Sequence, residues 1–148
     1  MQEGPYARVS GHRFPGGTTT VEPWMNRLWC DAVCADDTAP HVHPMLVYYA
    51  AVEGAGVTFQ DIFDLLDGST ESGIMVGEQR FAFQQPLNIG ESYEVSGGIT
   101  DVQRKSGKRA GTFDIATFEL ELRRPGAAEV LATSTTSFVF PRREETLA

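Results

Sequence analysis

The segment from Ala35 to Pro44, ADDTAPHVHP, holds the densest group of side chains able to move protons. Its ten residues include two aspartates and two of the three histidines of the chain. A carboxylate and an imidazole held close together can bind one water molecule, accept a proton from it and supply a proton to a substrate. This segment is therefore the first candidate for a catalytic site.

The same segment also has a simpler interpretation. Asp36 and Asp37 fit solvated loop charges that follow a helix, and His41 fits an exposed surface residue. His43 fits a residue at a helix start whose ring caps a neighbouring backbone group. The residue types alone leave both interpretations open.

Glu78 is a separate candidate for acid–base chemistry. It lies on an otherwise apolar segment, where a buried carboxylate with a raised pKa would be able to act as an acid or a base. Alternatively, Glu78 and Gln79 point outward or satisfy polar groups at a seam between two chains. The alternation of the segment is compatible with each of these roles.

Basic residues in the body of the chain cluster in one place, at Arg104, Lys105, Lys108 and Arg109. Guanidinium and ammonium groups bind phosphates, so this cluster is a candidate phosphate-binding site. A solvated hairpin tip explains it equally well. The sequence has no glycine-rich phosphate loop, and its His and Cys spacings do not fit a metal site, so we expect neither a cofactor nor a metal.

The composition is that of an ordinary globular protein. The 148 residues are 41% hydrophobic and 22% charged, and this length is sufficient to bury a core, so we expect a single domain spanning residues 1–148. The formal net charge of −8 disfavours binding to nucleic acid or to an anionic membrane. The sequence shows neither an N-terminal signal nor a run of about eighteen apolar residues, which predicts a cytoplasmic location.

The apolar stretch from His43 to Leu66 is the predicted centre of the fold. Apolar residues fall on nearly all of its sides, which is typical of a helix enclosed by other structure. Gly54 and Gly56 weaken a helix interior, so they mark either a break or a place where another backbone or a ligand comes close. The stretch is therefore one buried, kinked helix or two short helices, the second of them capped by Thr58.

A shorter helix is predicted to precede this stretch. Thr20 is its expected N-cap, and apolar residues at helical spacing continue to Val33. Cys30 and Cys34, four residues apart, are expected to share one helix face as buried free thiols. Residues 1–19 carry little periodicity and predict a loose arm or a first edge segment.

The second half of the chain alternates between apolar and polar residues, which predicts strands. Four long strands are expected at 74–84, 93–99, 113–122 and 130–140, joined by turns at 86–90, 105–111 and 124–128. An apolar helix followed by such strands predicts an α+β fold, with the helix laid across one face of an antiparallel sheet. Only residues 142–148 are expected to be frayed.

The run from Val76 to Gly107, VGEQRFAFQQPLNIGESYEVSGGITDVQRKSG, resembles the central part of MaoC-like dehydratases, the hot-dog family that includes R-specific enoyl-CoA hydratases. Its Gly-Glu-Gln, the aromatic strand and Pro-Leu-x-x-Gly-Glu resemble especially the N-terminal type of this family. The later TFDIATFELEL and ATSTTSFVFPR fit the same pattern, so the resemblance covers about residues 20–143. It implies a hot-dog fold, in which a curved antiparallel sheet wraps around a long central helix. It also implies a homodimer, or a heterodimer with another hot-dog chain, and a thioester-binding channel at the pair interface.

The resemblance further implies roles for the acidic segment. Catalytic members carry Gly-Asp-x-Asn-Pro-x-His-x-Asp-Pro, and alignment on Pro44 places Asp36 at the first Asp, His41 at the His and His43 at the second Asp. The implied reaction, carried out by Asp36 and His41, is hydration of an enoyl thioester or dehydration of a 3-hydroxyacyl thioester. Free backbone N–H groups at the start of the central helix would polarise the thioester carbonyl. The thioester carrier is coenzyme A or a carrier protein, and the basic cluster would bind the phosphates of coenzyme A.

The segment departs from the family pattern at Thr38 and Ala39, which stand where the family has Asn and Pro. An alternative alignment places the tripeptide HPM, which begins at His43, at the start of the central helix, and the acid–base pair is then absent. The chain would in that case be a non-catalytic subunit that shapes the acyl channel of a catalytic partner. A third alternative is a hot-dog thioesterase that uses a carboxylate such as Glu78.

Overall fold

The computed structural model describes residues 3–142, which form three α-helices, two short 3-10 helices and five strands. In chain order the elements are a 3-10 helix Pro5–Val9, strand β1 Gly17–Thr20, helices α1 Pro23–Val33, α2 Leu46–Gly54 and α3 Phe59–Leu65, a 3-10 helix Thr70–Ser72, and strands β2 Met75–Phe83, β3 Ser92–Gly107, β4 Gly111–Arg123 and β5 Val130–Arg142. Within this part of the chain, no helix is long and apolar enough to span a membrane.

The five strands form one curved antiparallel sheet with the order β1-β3-β4-β5-β2. Alternate residues of β4 and β5 are buried, so one face of the sheet packs on the core and the other faces outward. The predicted α+β class and the four long strands are confirmed, except that β3 continues to Gly107, beyond its predicted end at residue 99 and into the predicted turn 105–111. Strand β1 adds a short fifth strand at one edge, and β2 forms the opposite edge.

Helix α2 lies across the sheet and contacts β1, β3, β4 and β5. Its sequence LVYYAAVEG is apolar except near its end, and Leu46, Val47, Ala50 and Ala51 are buried. The sheet contributes large buried side chains to the same core, among them Tyr93, Phe118, Leu120, Leu122 and Phe140. Burying each large apolar side chain contributes about 1.5–3 kcal/mol, so the position of α2 is set mainly by apolar packing.

Of the two alternatives for the central stretch, the structure has two short helices. Helix α2 ends at Gly54, and Gly56 adopts a left-handed conformation with φ of +75°, which interrupts helical hydrogen bonding. Thr58 caps α3 as predicted. Its hydroxyl accepts the Asp61 N–H at 3.1 Å, and the Asp61 carboxylate accepts the Thr58 N–H at 2.8 Å.

Gly54 allows α2 to approach the sheet closely, which is one of the two roles predicted for it. A β-carbon at this position would lie 2.4 Å from a methyl carbon of Val95 and 3.2 Å from the β-carbon of Thr19. The 2.4 Å contact is shorter than real β-carbons show, and the 3.2 Å contact is tighter than most of them. The absence of a side chain at Gly54 therefore sets the distance between helix and sheet.

Replacing Gly54 with Ala is expected to lower the free energy of unfolding by about 1–2 kcal/mol. Ala gains at most about 1 kcal/mol of helix propensity, whereas the methyl group overlaps Val95 and overpacking a core costs about 1–3 kcal/mol. Urea unfolding measures the difference. Gly107→Ala is the matched control, because its β-carbon would meet no atom nearer than 3.7 Å. A Gly54→Ala protein as stable as the control would contradict the packing argument.

Helix α1 begins later than predicted. Thr20 is the last residue of β1, so Glu22 takes the N-cap position and Pro23 the first helical position, where a missing N–H costs nothing. The helix ends where predicted, because Cys34 adopts a left-handed conformation with φ of +56°. The prediction of a shared buried face is right for Cys30, which is buried, and wrong for Cys34, which is exposed because it lies beyond the helix.

The chain before β1 contains the 3-10 helix, and Val9 and Phe14 are buried in the core. Strand β1 pairs with β3, as the edge-segment alternative for residues 1–19 predicts. At the other end, Arg142 is the last residue of β5. The remainder of the predicted frayed tail, 143–148, lies outside the described residues.

A buried carboxylate on β4 joins several elements. Asp114 is fully buried, and Arg104 of β3 donates two hydrogen bonds to it, each at 2.8 Å. Arg142 donates a third at 2.7 Å and also donates to the Leu66 carbonyl at 2.6 Å. The guanidinium of Arg142 lies 4.1 Å from the centre of the Tyr6 ring. This cluster therefore ties the N-terminal segment and the end of α3 to three strands.

Candidate functional site

The predicted acid–base segment forms the connection between α1 and α2, residues 34–45, here named the α1–α2 loop. The His43 N–H donates to the side-chain oxygen of the buried Asn26 at 2.8 Å, which attaches the loop to α1. The Val42 N–H donates to the Leu87 carbonyl at 2.8 Å, which attaches it to the connection between β2 and β3. The loop is therefore held from two sides, although most of it is exposed.

Asp36 is exposed in this loop and folds back on Thr38. Its carboxylate accepts the Thr38 backbone N–H at 2.9 Å, as aspartates in turns commonly do. Hydrogen bonds from the side chain and backbone of Thr38 lower the pKa of Asp36 below its usual value. At neutral pH the group is therefore a carboxylate, able to accept a proton rather than to donate one.

His41 is also exposed, but its ring is anchored. Nδ1 lies 3.1 Å from the side-chain oxygen Oδ1 of Asn88. Because an amide oxygen only accepts hydrogen bonds, Nδ1 carries the proton in this contact and Nε2 of a neutral ring keeps its lone pair. No described residue hydrogen-bonds Nε2, so this nitrogen is available for proton transfer.

Asn88, which the sequence does not single out, is held in place by two further contacts. Its backbone N–H donates to the hydroxyl of Tyr93 at 2.7 Å, and Tyr93 is fully buried. The backbones of His41 and Asn88 also form an isolated antiparallel bridge. The turn sequence PLNIGE is the one local signal here, and it does not predict which loop the turn will meet.

His43 caps the start of α2, as the simpler interpretation predicts. Its Nδ1 accepts the Met45 N–H at 3.2 Å. The Leu46 N–H donates to the His43 carbonyl at 2.9 Å, and the Val47 N–H donates to the Pro44 carbonyl at 3.2 Å. The prediction that free amides at this helix start polarise a thioester carbonyl is therefore wrong for a single chain, because the loop itself satisfies them.

The candidate pair is not enclosed by a single chain. One surface cavity beside the loop has a volume of about 430 Å³ and is lined by Pro23, Trp24, Asn26, Arg27, Asp37 and Ile89. A second, apolar cavity of about 310 Å³ is lined by Trp24, Met25, Leu28, Trp29, Ala32, Leu46 and Tyr49. Neither Asp36 nor His41 lines either cavity, and both are exposed in the single chain.

Glu78 lies on the face of β2 that points away from the helices. It is opposite Ser137 of β5, and its exposed carboxylate pairs with Arg80 at 2.6 Å. The carboxylate is therefore not buried, as the role of acid or base would require. Of the alternatives predicted for Glu78, the structure has the one in which its side chain points outward.

The basic cluster separates into one engaged and three exposed members. Arg104 uses its guanidinium to bind Asp114, so the prediction that it contacts phosphates is wrong for the folded chain. Lys105, Lys108 and Arg109 are exposed at and beside the tip of the β3–β4 hairpin and remain candidates for phosphate binding.

Within residues 3–142, no group of three His, Cys, Asp or Glu side chains could hold a metal ion.

No protein-family model matches the chain, and no curated protein matches its sequence. Similarity is found among solved structures. A chain of the ChsH1-ChsH2 complex from Mycobacterium tuberculosis superposes with a TM-score of 0.71 at 14% identity, over 95% of this chain and 92% of that chain. A chain of the C-terminally truncated HadBC (3R-hydroxyacyl-ACP dehydratase) complex from the same organism gives 0.63 at 18% identity, over 88% and 96%.

The MaoC-like dehydratase from Rhodospirillum rubrum superposes with a TM-score of 0.50 at 18% identity, over 92% of this chain and 94% of that chain. At these identities the similarity concerns the fold and does not transfer an activity. The similarity of this chain to all three structures lies in its fold, a five-stranded curved antiparallel sheet packed on helices. The fold of this protein is therefore the hot-dog fold, shared with MaoC-like dehydratases and related proteins.

Proposed function

We propose that this protein is a subunit of a hot-dog hydratase or dehydratase that acts on an enoyl or 3-hydroxyacyl thioester. The observation that carries the proposal is the anchored His41. Asn88 holds its Nδ1 and leaves Nε2 free, on the same loop as the ionised Asp36. A proton acceptor and a proton donor are the two groups that addition of water to a double bond requires.

Hydration joins the oxygen of water to the β-carbon of the enoyl thioester and adds a proton to the α-carbon. In this proposal Asp36, which is ionised, accepts the proton that water loses. The free Nε2 of His41 takes up a proton from solvent and delivers it to the α-carbon, while Asn88 keeps the Nδ1 proton in place. Dehydration reverses the same transfers.

The proposed site is completed by a second hot-dog chain. A single chain leaves both acid–base groups exposed, and the first amides of α2 are already bonded. A second chain paired at the open β2 edge would cover the uncovered surface and supply donors to the developing enolate oxygen. Two of the similar structures are complexes, ChsH1-ChsH2 and HadBC, which supports a hot-dog partner.

The thioester carrier in this proposal is coenzyme A or a carrier protein in the cytoplasm. Lys105, Lys108 and Arg109 are exposed cations in a chain with a net charge of −8. They are the proposed contacts for the carrier's phosphate groups. The proposal leaves Arg104 out of this role, because its charge is compensated by Asp114.

The direct test is hydration of crotonyl-CoA and of a longer enoyl-CoA by the purified protein, followed as loss of the enoyl absorbance. Turnover with at least one chain length is expected. Release of free thiol from an acyl-CoA without hydration would instead identify a thioesterase, as the Glu78 alternative predicts. Absence of both activities would contradict a self-sufficient enzyme.

One observation favours a second candidate, a non-catalytic subunit that shapes the acyl channel of a catalytic hot-dog partner. His43 lies three residues before Leu46, the first residue of α2, and its ring caps the Met45 N–H, which is close to where the alignment without an acid–base pair places the helix start. The partner would then bring its own Asp and His. No hydration by this chain alone, with turnover appearing only when a second hot-dog chain is added, would support this candidate over the first.

A further inference from the structure

The cavity beside the α1–α2 loop combines an exposed aromatic ring with an exposed cation. Its volume is about 430 Å³, within the usual range for small-molecule sites, and its lining includes Trp24, Arg27, Asp37 and Ile89. Trp24 is 61% exposed, more than any other large hydrophobic residue that the structure describes. An indole exposed to this extent contributes little to the core, and its ring face is open to a ligand.

Arg27 is the cation of this cavity, and its charge is only partly compensated. Its Nε lies 4.0 Å from a carboxylate oxygen of Asp37, which is longer than a hydrogen bond, and the two side chains are 73% and 42% exposed. The guanidinium of Arg104, by contrast, donates twice to the buried Asp114. Arg27 is therefore available to bind an anion such as a phosphate group.

The cavity adjoins both chain segments of the proposed site. Asp37 is the residue after Asp36. Ile89 is the residue after Asn88, the anchor of His41. A ligand in this cavity would therefore lie beside the loop that carries the acid–base pair.

We propose that this cavity binds the adenine nucleotide of coenzyme A. The indole of Trp24 stacks on the adenine ring, and the guanidinium of Arg27 binds a phosphate group. The acyl thioester then extends along the loop to His41. The choice of ligand rests on the proposed function, and it selects coenzyme A over a carrier protein, whose phosphopantetheine arm has no adenine ring.

Other occupants fit this lining less well. An acyl chain would cover the charged groups of Arg27 and Asp37 without offering them a polar partner, which costs free energy. Nucleic acid is repelled by the net charge of −8. A nucleotide instead brings an aromatic ring and an anion together, as the indole and the guanidinium require.

Arg27 adds a phosphate contact near His41 to the three cations of the β3–β4 hairpin. Asn88 lies just before Ser92, the first residue of β3, whereas Lys105 lies near the other end of that strand. Ser92 and Lys105 are therefore about 40 Å apart along the strand. Within one chain, Arg27 is the cation on the same side as the anchored imidazole.

The first test is calorimetric titration of the purified protein with coenzyme A and with 4′-phosphopantetheine, which lacks the adenine nucleotide. Coenzyme A is expected to bind about tenfold more tightly, because stacking of a base on an aromatic ring contributes about this factor. Trp24→Ala is expected to raise the Kd for coenzyme A by about tenfold. The same variant is expected to leave the Kd for phosphopantetheine unchanged.

The two charged residues are expected to act in opposite directions. Arg27→Gln removes a phosphate contact and is expected to raise the Kd for coenzyme A by about tenfold. Asp37→Asn removes a carboxylate beside the bound phosphate and is expected to lower the Kd by about threefold. The opposite signs separate an effect of charge from a general disturbance of the cavity.

Arg13→Gln is the matched control. Arg13 is an exposed arginine on the segment before β1, and its replacement makes the same change in net charge as Arg27→Gln. Its Kd for coenzyme A is expected to stay within about twofold of the wild type. Trp24 and Arg27 are exposed, and circular dichroism of each variant checks that the fold is retained.

The second test uses the fluorescence of Trp24. The chain has two tryptophans, so Trp24 is the only one in a Trp29→Phe background. Stacking on adenine is expected to quench its emission when coenzyme A is added. Phosphopantetheine is expected to leave the emission unchanged.

Tighter binding of coenzyme A that is weakened by both Trp24→Ala and Arg27→Gln supports the inference. No binding of coenzyme A, equal affinity for the two ligands, or wild-type affinity in either variant would overturn it. Neither test needs turnover, so the two proposals fail separately. Binding of coenzyme A without any hydration would support the inference and count against the proposed function. Hydration of a carrier-protein thioester by a protein that does not bind coenzyme A would overturn the inference alone.

Discussion

Replacing Asp114 with Asn is expected to lower the free energy of unfolding by about 3 kcal/mol at pH 7. Asp114 is fully buried, and it accepts two hydrogen bonds from Arg104 and one from Arg142. The neutral amide removes the charge that compensates two largely buried guanidinium groups. Removing one partner of a buried ion pair lowers the free energy of unfolding by about 3–5 kcal/mol, because the other charge stays buried without compensation. The arginine side chains remain 22% and 15% exposed, so we expect the lower end of that range.

The same contacts make the stability of the protein depend on pH. Burial raises the pKa of Asp114, but the hydrogen bonds and charges of Arg104 and Arg142 outweigh burial and hold the pKa below its usual value. A carboxyl group of this kind stabilises the fold above its unfolded pKa, about 4, and loses that contribution as the pH falls through its folded pKa. The stability difference between wild type and variant is therefore expected to be constant near neutral pH and to shrink below about pH 4.

Urea unfolding from pH 7 down to pH 3 measures this difference. Asp101→Asn is the matched control, because Asp101 is an exposed aspartate on β3. Its effect is expected to stay within about 0.5 kcal/mol. Equal losses in the two variants, or a difference for Asp114→Asn that grows toward low pH, would show that the buried ion cluster does not stabilise the fold.

Replacing His41 with Ala is expected to lower kcat/KM for enoyl-CoA hydration by about a hundredfold or more, as is usual when a general acid–base group is lost. The loss is expected mainly in kcat, because the imidazole acts on protons in the transition state. Asp36→Asn is expected to have an effect of the same order. It keeps a side-chain oxygen near the Thr38 amide but can no longer accept the proton from water.

The effect of Asn88→Ala tests the anchoring of His41. This variant keeps the imidazole but removes the acceptor of its Nδ1 proton, 3.1 Å away. A smaller loss is expected, about tenfold, with a change in the pH profile, because the ring is free to turn and to change tautomer. His12→Ala is the control, since His12 is an exposed histidine on a different segment.

Full activity in the His41→Ala variant would rule out the proposed role of His41 in proton transfer.

Most of the secondary structure could be predicted from the sequence because it depends on residues that are near each other in the chain. The alternation after residue 74 predicts the four long strands, and Thr58 as an N-cap predicts the start of α3. Three details differ. Thr20 looks like a helix cap but is drawn into β1, Cys34 is expected on a buried helix face but lies just beyond the end of α1, and β3 continues to Gly107 although a turn is expected from residue 105. The pairing of β1 with β3 and of β3 with β4 depends on contacts that the local pattern does not contain.

The candidate site could be predicted only in part. The residue types place Asp36 and His41 on one loop, whereas the anchor of His41 is Asn88, a residue 47 positions later in the chain. The basic cluster shows the same limitation. Arg104 looks like a phosphate ligand in the sequence, yet pairing of β3 with β4 places it beside Asp114.

The sequence by itself therefore determined the fold class, the long strands and the list of groups able to do chemistry, because side-chain periodicity and residue type are local properties. Only the tertiary structure decided which of those groups are free to act. A hydrogen-bonding group is available when no neighbour already satisfies it. At Arg104 the satisfying partner, Asp114, lies on a different strand, and the contact that leaves Nε2 of His41 free is made by Asn88, 47 positions later in the chain.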